Sequence, residues 1–262
     1  MRHVSKMTFR KKPLKKDIVI GLGEIGLPIF KLLSRNMPVD GLDKIEKLNL
    51  EKFSNIKKTE LMHICIPFTK SFQKNVIQLA KKYNPGAIVI HSTISPNTTK
   101  KLQKKLDVPI IYSATRGVHK RMLKDLKRYT KFFAVYDDAP NSKWASRIFK
   151  NKMKKCGVKT KQMSQPITLE LAKVVCDTSY YGWLINFAQI SKMIADKENV
   201  DYNEMWSFTD EIQKFLKNRP KMFPGFIGGH CVIPNLNLID NELLNQIDKI
   251  NKNFAKKKKK PN

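Results

Sequence analysis

Two stretches of the chain group residues whose types and spacing could do chemistry. In "IVIGLGEIGLPIF", residues 18–30, Gly21, Gly23 and Gly26 form G-x-G-x-x-G between an apolar run and the start of a helical pattern. The tight bend, the close approach of a pyrophosphate and the packing of helix on strand each exclude a side chain there. The N-terminus of the following helix offers free N–H groups to phosphates. A second apolar run ends in "VDGLD", placing Asp43 about twenty residues past the glycines, where an acid accepts the ribose hydroxyls of a dinucleotide. Asp43 repels a 2′-phosphate and so favours NAD over NADP, with Lys44 beside it acting the other way. The second stretch, "PKMFPGFIGGHCVIPN", concentrates Gly, Pro, His and Cys in one loop. Cys65, Cys156, Cys176 and Cys231 form no C-x-x-C pair and the histidines no ligand spacing, so neither a disulfide framework nor a metal site is expected. Cys65 and Cys176 fall within apolar runs and are expected in the core.

The elements that must position these residues alternate in βαβ order. Strands are expected at Ile18–Gly21, Val39–Leu42, Leu61–Ile66, Ala87–His91, Ile110–Tyr112 and Phe132–Val135, with helices at Ser71–Tyr83, Thr98–Leu106 and Asn141–Cys156. That pattern predicts an α/β fold, a Rossmann-like, doubly wound parallel sheet. Near Gln165 it changes. From Pro166, which suits a helix start, apolar residues recur at helical spacing for roughly thirty positions, too long for a strand. The expected organisation is a basic arm at 1–16, a dinucleotide-binding domain at 17–163, a mainly helical domain at 164–250 and a basic tail at 251–262. A long helix that is apolar on more than one face predicts a homodimer.

The net charge of +29 favours anionic partners, yet Lys dominates over Arg and is scattered as on a solvated surface. No ribonucleoprotein or helix-turn-helix motif is present, so nucleic acid is not expected as the main partner. With no long apolar run and no secretory leader pattern, the expectation is a cytoplasmic protein without a membrane span.

Taken together, the motifs resemble those of the UDP-glucose/GDP-mannose dehydrogenase family. "GLGEIGLP" is similar to G-L-G-Y-V-G-L-P, "HICIPF" to a strand ending in a V-P-T turn, and "HSTISPNTT" to E-S-T-V-x-P-G-T-T. "ELAKVVCDTSYYGWLINFAQ" follows the family's E-L-x-K-L-x-x-N helix, and "FPGFIGGHCVIPN" its P-G-x-G-G-H-C-I-P-x-D loop. The resemblance implies NAD-dependent oxidation of the sugar alcohol of a nucleotide sugar. Cys231 takes the place of the nucleophile that forms a thiohemiacetal and then a thioester, Lys173 that of the active-site lysine, and Thr93 that of the threonine near cofactor and water. It further implies Glu24, Ile25, Pro67 and Ser92 on the cofactor side, and Phe226, Gly228, Gly229 and His230 beside Lys173 on the substrate side.

Departures from the family pattern are as specific as the matches. The glutamate linked to thioester hydrolysis falls at Thr115, the glycine of P-G-T-T is Asn97, and the glycine-loop tyrosine is Glu24. The helix asparagine is Asp177 and the loop aspartate is Asn235, so acid and amide have exchanged places, with Asp177 expected to orient water and Asn235 to hold an oxyanion. The family's third domain is not represented, which makes a truncated, divergent member the expectation. Two alternatives stand beside it: an inactive NAD-binding or regulatory protein, and a two-electron dehydrogenase of small hydroxy acids.

Overall fold

The computed structural model describes residues 14–229 and 231–258. The chain divides into two compact units, the first running to Ser92 and again over Thr98–Pro166, the second comprising Thr93–Asn97 and everything from Ile167.

In the first unit the order is β1 (Lys15–Ile20), α1 (Gly26–Leu33), β2 (Val39–Leu42), β3 (Lys58–Ile64), α2 (Phe72–Tyr83), β4 (Ala87–Ile90), α3 (Thr98–Gln103), β5 (Ile110–Tyr112), α4 (Met122–Arg128), β6 (Lys131–Phe133), α5 (Ser142–Lys155) and β7 (Thr160–Gln162). Five strands form a parallel sheet in the order β2-β1-β3-β4-β5. Their near-continuous Val, Ile and Leu content reflects burial on both faces. The strand order reverses between β1 and β3, and ligands of open α/β sheets bind outside the carboxyl ends of the strands at such a point. One expectation is corrected here: the sixth strand leaves the main sheet. β6 pairs with β7, a short strand that its polar sequence TKQ did not announce, and the residue after β6, Ala134, forms an antiparallel bridge with Tyr112 of β5.

Helix positions follow from which side chains they bury. In α2, Phe72, Val76 and Ala80 recur at a spacing of four and are buried, and Asn84 ends the helix in the left-handed region at φ 40°. The Phe133 and Phe149 rings pack tilted, with centroids 4.9 Å apart, between β6 and α5 in a core shared with Val19, Leu33 and Val89. The expected basic arm shrinks for a clear reason. Residues 1–13 lie outside the described residues, but Lys15 and Lys16 belong to β1, and Lys16 Nζ is tied to buried Asp40 at 2.6 Å.

A polar network crosses this core. Asp17 accepts from Leu61 N at 3.0 Å and Lys152 Nζ at 2.9 Å, and its other oxygen lies 3.5 Å from His63 Nε2. His63 Nδ1 lies 2.9 Å from His91 Nε2, and His91 Nδ1 lies 3.2 Å from the Ser113 carbonyl. A carbonyl only accepts, so the proton sits on His91 Nδ1, its Nε2 is the acceptor, and His63 donates to it. Burial, with the charges of Lys131 and His63, holds the His91 imidazole well below its ordinary range, so His91 is neutral.

The second unit continues as α6 (Pro166–Leu171), a π-helical segment over Ala172–Ser179, α7 (Tyr180–Lys197), α8 (Tyr202–Leu216), α9 (Ile233–Leu236) and α10 (Glu242–Lys258). The expected single long helix is therefore interrupted by eight residues wound at i→i+5. α8 opens on Asp201, whose side chain accepts from Glu204 N at 2.7 Å. The expected basic tail is corrected in part: α10 runs through residue 258, with Phe254 buried, while 259–262 lie outside the described residues. Among the described residues no helix is long and apolar enough to cross a membrane.

Candidate functional site

The glycine turn sits at the carboxyl end of β1. Gly21 has φ +87°, and a Cβ there would lie 2.9 Å from the Cys65 carbonyl oxygen after β3. At Gly26 a Cβ would come within 1.6 Å of the Gly21 carbonyl oxygen, so helix and strand meet backbone to backbone. Gly23 differs: nothing lies within 4 Å of a Cβ built there. Two glycines thus close the turn and the third leaves it open. Asp43 closes the other side, its Oδ2 accepting from Leu22 N at 2.7 Å and its Oδ1 from Ile45 N at 3.1 Å, while Asn49 fixes the Asp43 backbone. Each carboxylate oxygen keeps a lone pair for a further donor. No acid occupies the first turn of α1. These residues fit a dinucleotide: an open glycine at the carboxyl end of β1 and a half-buried acid beside it.

Around the turn, exposed Glu24 pairs with His119 at 2.9 Å, Ile25 packs against the core, and Pro67 is exposed just past β3. Ser92 Oγ donates to the Ile66 carbonyl at 2.6 Å, joining the ends of β3 and β4. His91, which the motif comparison passed over, anchors this edge from beneath through the His63–Asp17 network. Thr115 is buried, with Lys131 Nζ 3.3 Å from its hydroxyl, so the position of the family's glutamate carries no acid.

In the second unit Lys173 and Asp177 both lie on the π-helical segment, with Lys173 Nζ 2.6 Å from Asp177 Oδ2. The Lys173 side chain is largely covered and that of Asp177 half exposed, so the carboxylate is the member of the pair that solvent reaches. The wider winding frees carbonyls, and two hydroxyls take them up: Thr178 Oγ1 donates to Lys173 O at 3.1 Å and Ser179 Oγ to Val174 O at 2.8 Å. Cys231 is exposed, and one helical turn later the Asn235 amide donates to the Cys231 carbonyl oxygen. α9, which starts two residues after Cys231, packs against the π-helical segment that carries Lys173 and Asp177. Cys176 corrects an expectation: it is exposed on that segment, because the changed winding turns it out of the core. Burial instead pushes the Cys65 thiol up to about 12, against the nearby Lys131 charge, and also raises that of Cys156.

The loop before Cys231 is held by amides that no motif pointed to. Asn251 Oδ1 accepts from Ile227 N at 2.8 Å while its Nδ2 donates to Ile227 O at 3.0 Å. Gln189 Nε2 donates to Gly225 O at 2.7 Å and to Asn251 Oδ1 at 3.0 Å, and Asn186 donates to Gln189. All three amides are buried. Phe226 is exposed, Gly228 is unobstructed, Gly229 has φ +74°, and His230 lies outside the described residues. Thr93 belongs to a short segment of this unit that is fixed by Ser95 Oγ on Leu238 O at 3.0 Å and by Asn97 N on Glu170 at 2.6 Å. Asn97 has φ 66°, a conformation asparagine tolerates better than most residues, which accounts for its standing in for the family's glycine.

Neither a scan against protein-family models nor a search of curated proteins returns a match. Among solved structures the chain is similar to UDP-D-ManNAc dehydrogenase from Pyrococcus horikoshii, with TM-score 0.73 and 17% identity over 92% of this chain and 69% of that one. A UDP-glucose dehydrogenase from Pyrobaculum islandicum gives TM-score 0.70 and 15% identity over 94% and 68%. The 3-hydroxyisobutyrate dehydrogenase of Mycobacterium tuberculosis gives 0.67 and 15% over 92% and 94%. At these identities what is shared is the fold, an α/β Rossmann-like sheet followed by a helical region.

Proposed function

We propose that the chain is an NAD-dependent dehydrogenase that oxidises the sugar alcohol of a nucleotide sugar, with Cys231 as its nucleophile. The observation that carries the reading is the glycine turn, open at Gly23 and flanked by Asp43. Gly21, Gly23 and Gly26 admit a pyrophosphate, Asp43 accepts ribose hydroxyls and repels a 2′-phosphate, and Ser92 and Pro67 border the same strand ends. NAD bound there supplies a hydride acceptor.

The second unit contributes the nucleophile and the groups that handle protons. Lys173 donates to the oxygen that gains charge, and Asp177 accepts a proton directly or through one water. The Cys231 thiolate adds to the aldehyde carbon, and Asn235 is a positioning residue that fixes the Cys231 backbone. Thr115 brings no carboxylate, so the water that releases an acid depends on Asp177. The full route consumes two NAD and one water per sugar; arrest at the aldehyde consumes one NAD and no water. Trp183, Phe187 and Ile194 on α7 and Phe208 and Phe215 on α8 expose apolar surface, which supports assembly as a homodimer.

A second reading, two-electron oxidation of a small hydroxy acid, is favoured by the fold shared with the hydroxyisobutyrate enzyme, at TM-score 0.67 over 92% of this chain. UDP-sugars, GDP-sugars and small hydroxy acids, each assayed for NADH with the product mass, separate the readings. A nucleotide sugar giving an acid and two NADH supports the first; a hydroxy acid giving one NADH supports the second; no NADH from any substrate rejects both.

A further inference from the structure

A groove of about 490 Å³ runs between α1 and α4 in the first unit. Its floor is apolar, made by Leu27, Pro28, Met122 and Leu123. Its walls are cationic: exposed Lys31 on α1 and Arg35 just past its end stand on one side, and Lys124 and Lys127 one turn apart on α4 on the other, with Lys120 just before it. The acids nearby are already engaged. Glu24 holds His119 at 2.9 Å, and buried Asp125 holds Arg121 Nε at 3.0 Å and Val118 N at 2.9 Å. None of the five wall cations has an ion-pair partner among the described residues.

We propose that this groove binds the phosphate backbone of double-stranded nucleic acid. Five like charges around one groove repel each other, and that cost is relieved by a polyanion. Lys124 and Lys127, three residues apart, stand about 4.5 Å apart along the α4 axis, and with Lys31 and Arg35 across the groove they give two rows of charge suited to a chain of phosphates rather than to one. Four of the five are Lys, point charges without the bidentate fork that reads a base. The lining holds no Asn, Gln, Phe, Tyr or Trp, so the amides that read adenine and the large aromatic rings on which single-stranded bases stack are missing there. Binding of this kind is independent of sequence and leaves no motif, which is why the +29 charge was not traceable to a partner from the sequence. The apolar side chains are recessed between the cations, whereas a membrane surface needs them to project. The inference stands apart from the dehydrogenase reading, since none of the five wall cations belongs to the glycine turn.

Fluorescence anisotropy with a labelled 20-base-pair duplex across a salt series tests it, comparing wild type with Lys31→Glu/Lys124→Glu/Lys127→Glu. A control of equal charge, Lys74→Glu/Lys81→Glu/Lys101→Glu, changes exposed lysines on α2 and α3. The groove variant is expected to bind at least about 30-fold more weakly and to lose about 2 to 3 from the slope of log K against log salt, with the control near wild type. The corresponding Lys→Gln set gives the same direction without introducing acids. Equal losses in groove and control variants, no binding by the wild type, or groove-dependent binding to phosphatidylserine vesicles but not to the duplex would each overturn the proposal.

Discussion

The two units hold their candidate site residues by opposite means. In the first, the glycine turn is shaped by backbone: one positive φ, one strand-to-helix contact that admits no Cβ, and one glycine left open. In the second, the Cys231 loop has little regular structure and is held from a distance by Asn186, Gln189 and Asn251, and its partner pair rides on a π-helical segment. A site made of absent side chains tolerates no addition. A site held by side chains tolerates no removal.

The largest expected effect breaks the first kind. Gly26→Ala sets a methyl group 1.6 Å from a backbone oxygen, so the fold itself must give way. It should destabilise the protein by about 3 kcal/mol or more, measured by denaturant unfolding. If stability changes by less than about 1 kcal/mol, the turn is not built as described. Next, Asn251→Ala strips the loop of partners for Ile227 N and O and for Gln189, at a cost of about 2 to 4 kcal/mol. Limited proteolysis should then cut near Gly228 and Gly229 faster than in the wild type. Unchanged cleavage would show that something else holds the loop.

Asp177→Asn sharpens the contrast from the chemical side. The carboxylate is exposed enough that stability should change by under about 1 kcal/mol, while turnover on the substrate found in the assay falls about 100-fold or more. Adding Asn235→Asp should recover part of the loss, and undiminished turnover in the single variant removes the role of Asp177. The smallest effect is on pH. His91 is neutral when folded, its imidazole depressed by burial, so the unfolded chain binds the additional proton and stability falls as pH drops through about 6.5. Asp17 is pushed up by burial, but His63 and Lys152 outweigh this and hold it low, so its contribution is present above the ordinary carboxylate value and is lost only under strong acid. Melting curves at pH 7.5 and 5.5 should differ for wild type and converge in His91→Gln; parallel shifts in both would contradict this.

What could be read from the sequence follows the same division. Strands β2 and β5 begin and end where the apolar runs do, and the turn was readable because G-x-G-x-x-G is a local signal for a backbone shape. β7 was missed because TKQ carries no apolar pattern and is set by its partner β6. The π-helical segment was missed because α and π windings share the same apolar composition, and Cys176 was misplaced with it. Asn251 lies 24 positions beyond Ile227, and no local spacing connects them.

The most direct test of the dehydrogenase reading is calorimetric titration of the wild type and Gly23→Ala with NAD and with NADP. Gly23 has open space around it, so its alanine variant should fold as wild type does while its new methyl group occupies the ground a pyrophosphate needs. The account predicts that the wild type binds NAD at least about tenfold more tightly than NADP, through the ribose contact proposed for Asp43, and that Gly23→Ala loses most of that affinity with an unchanged melting temperature. Equal affinity of the wild type for the two dinucleotides, no binding of either, or undiminished NAD binding by Gly23→Ala would contradict it.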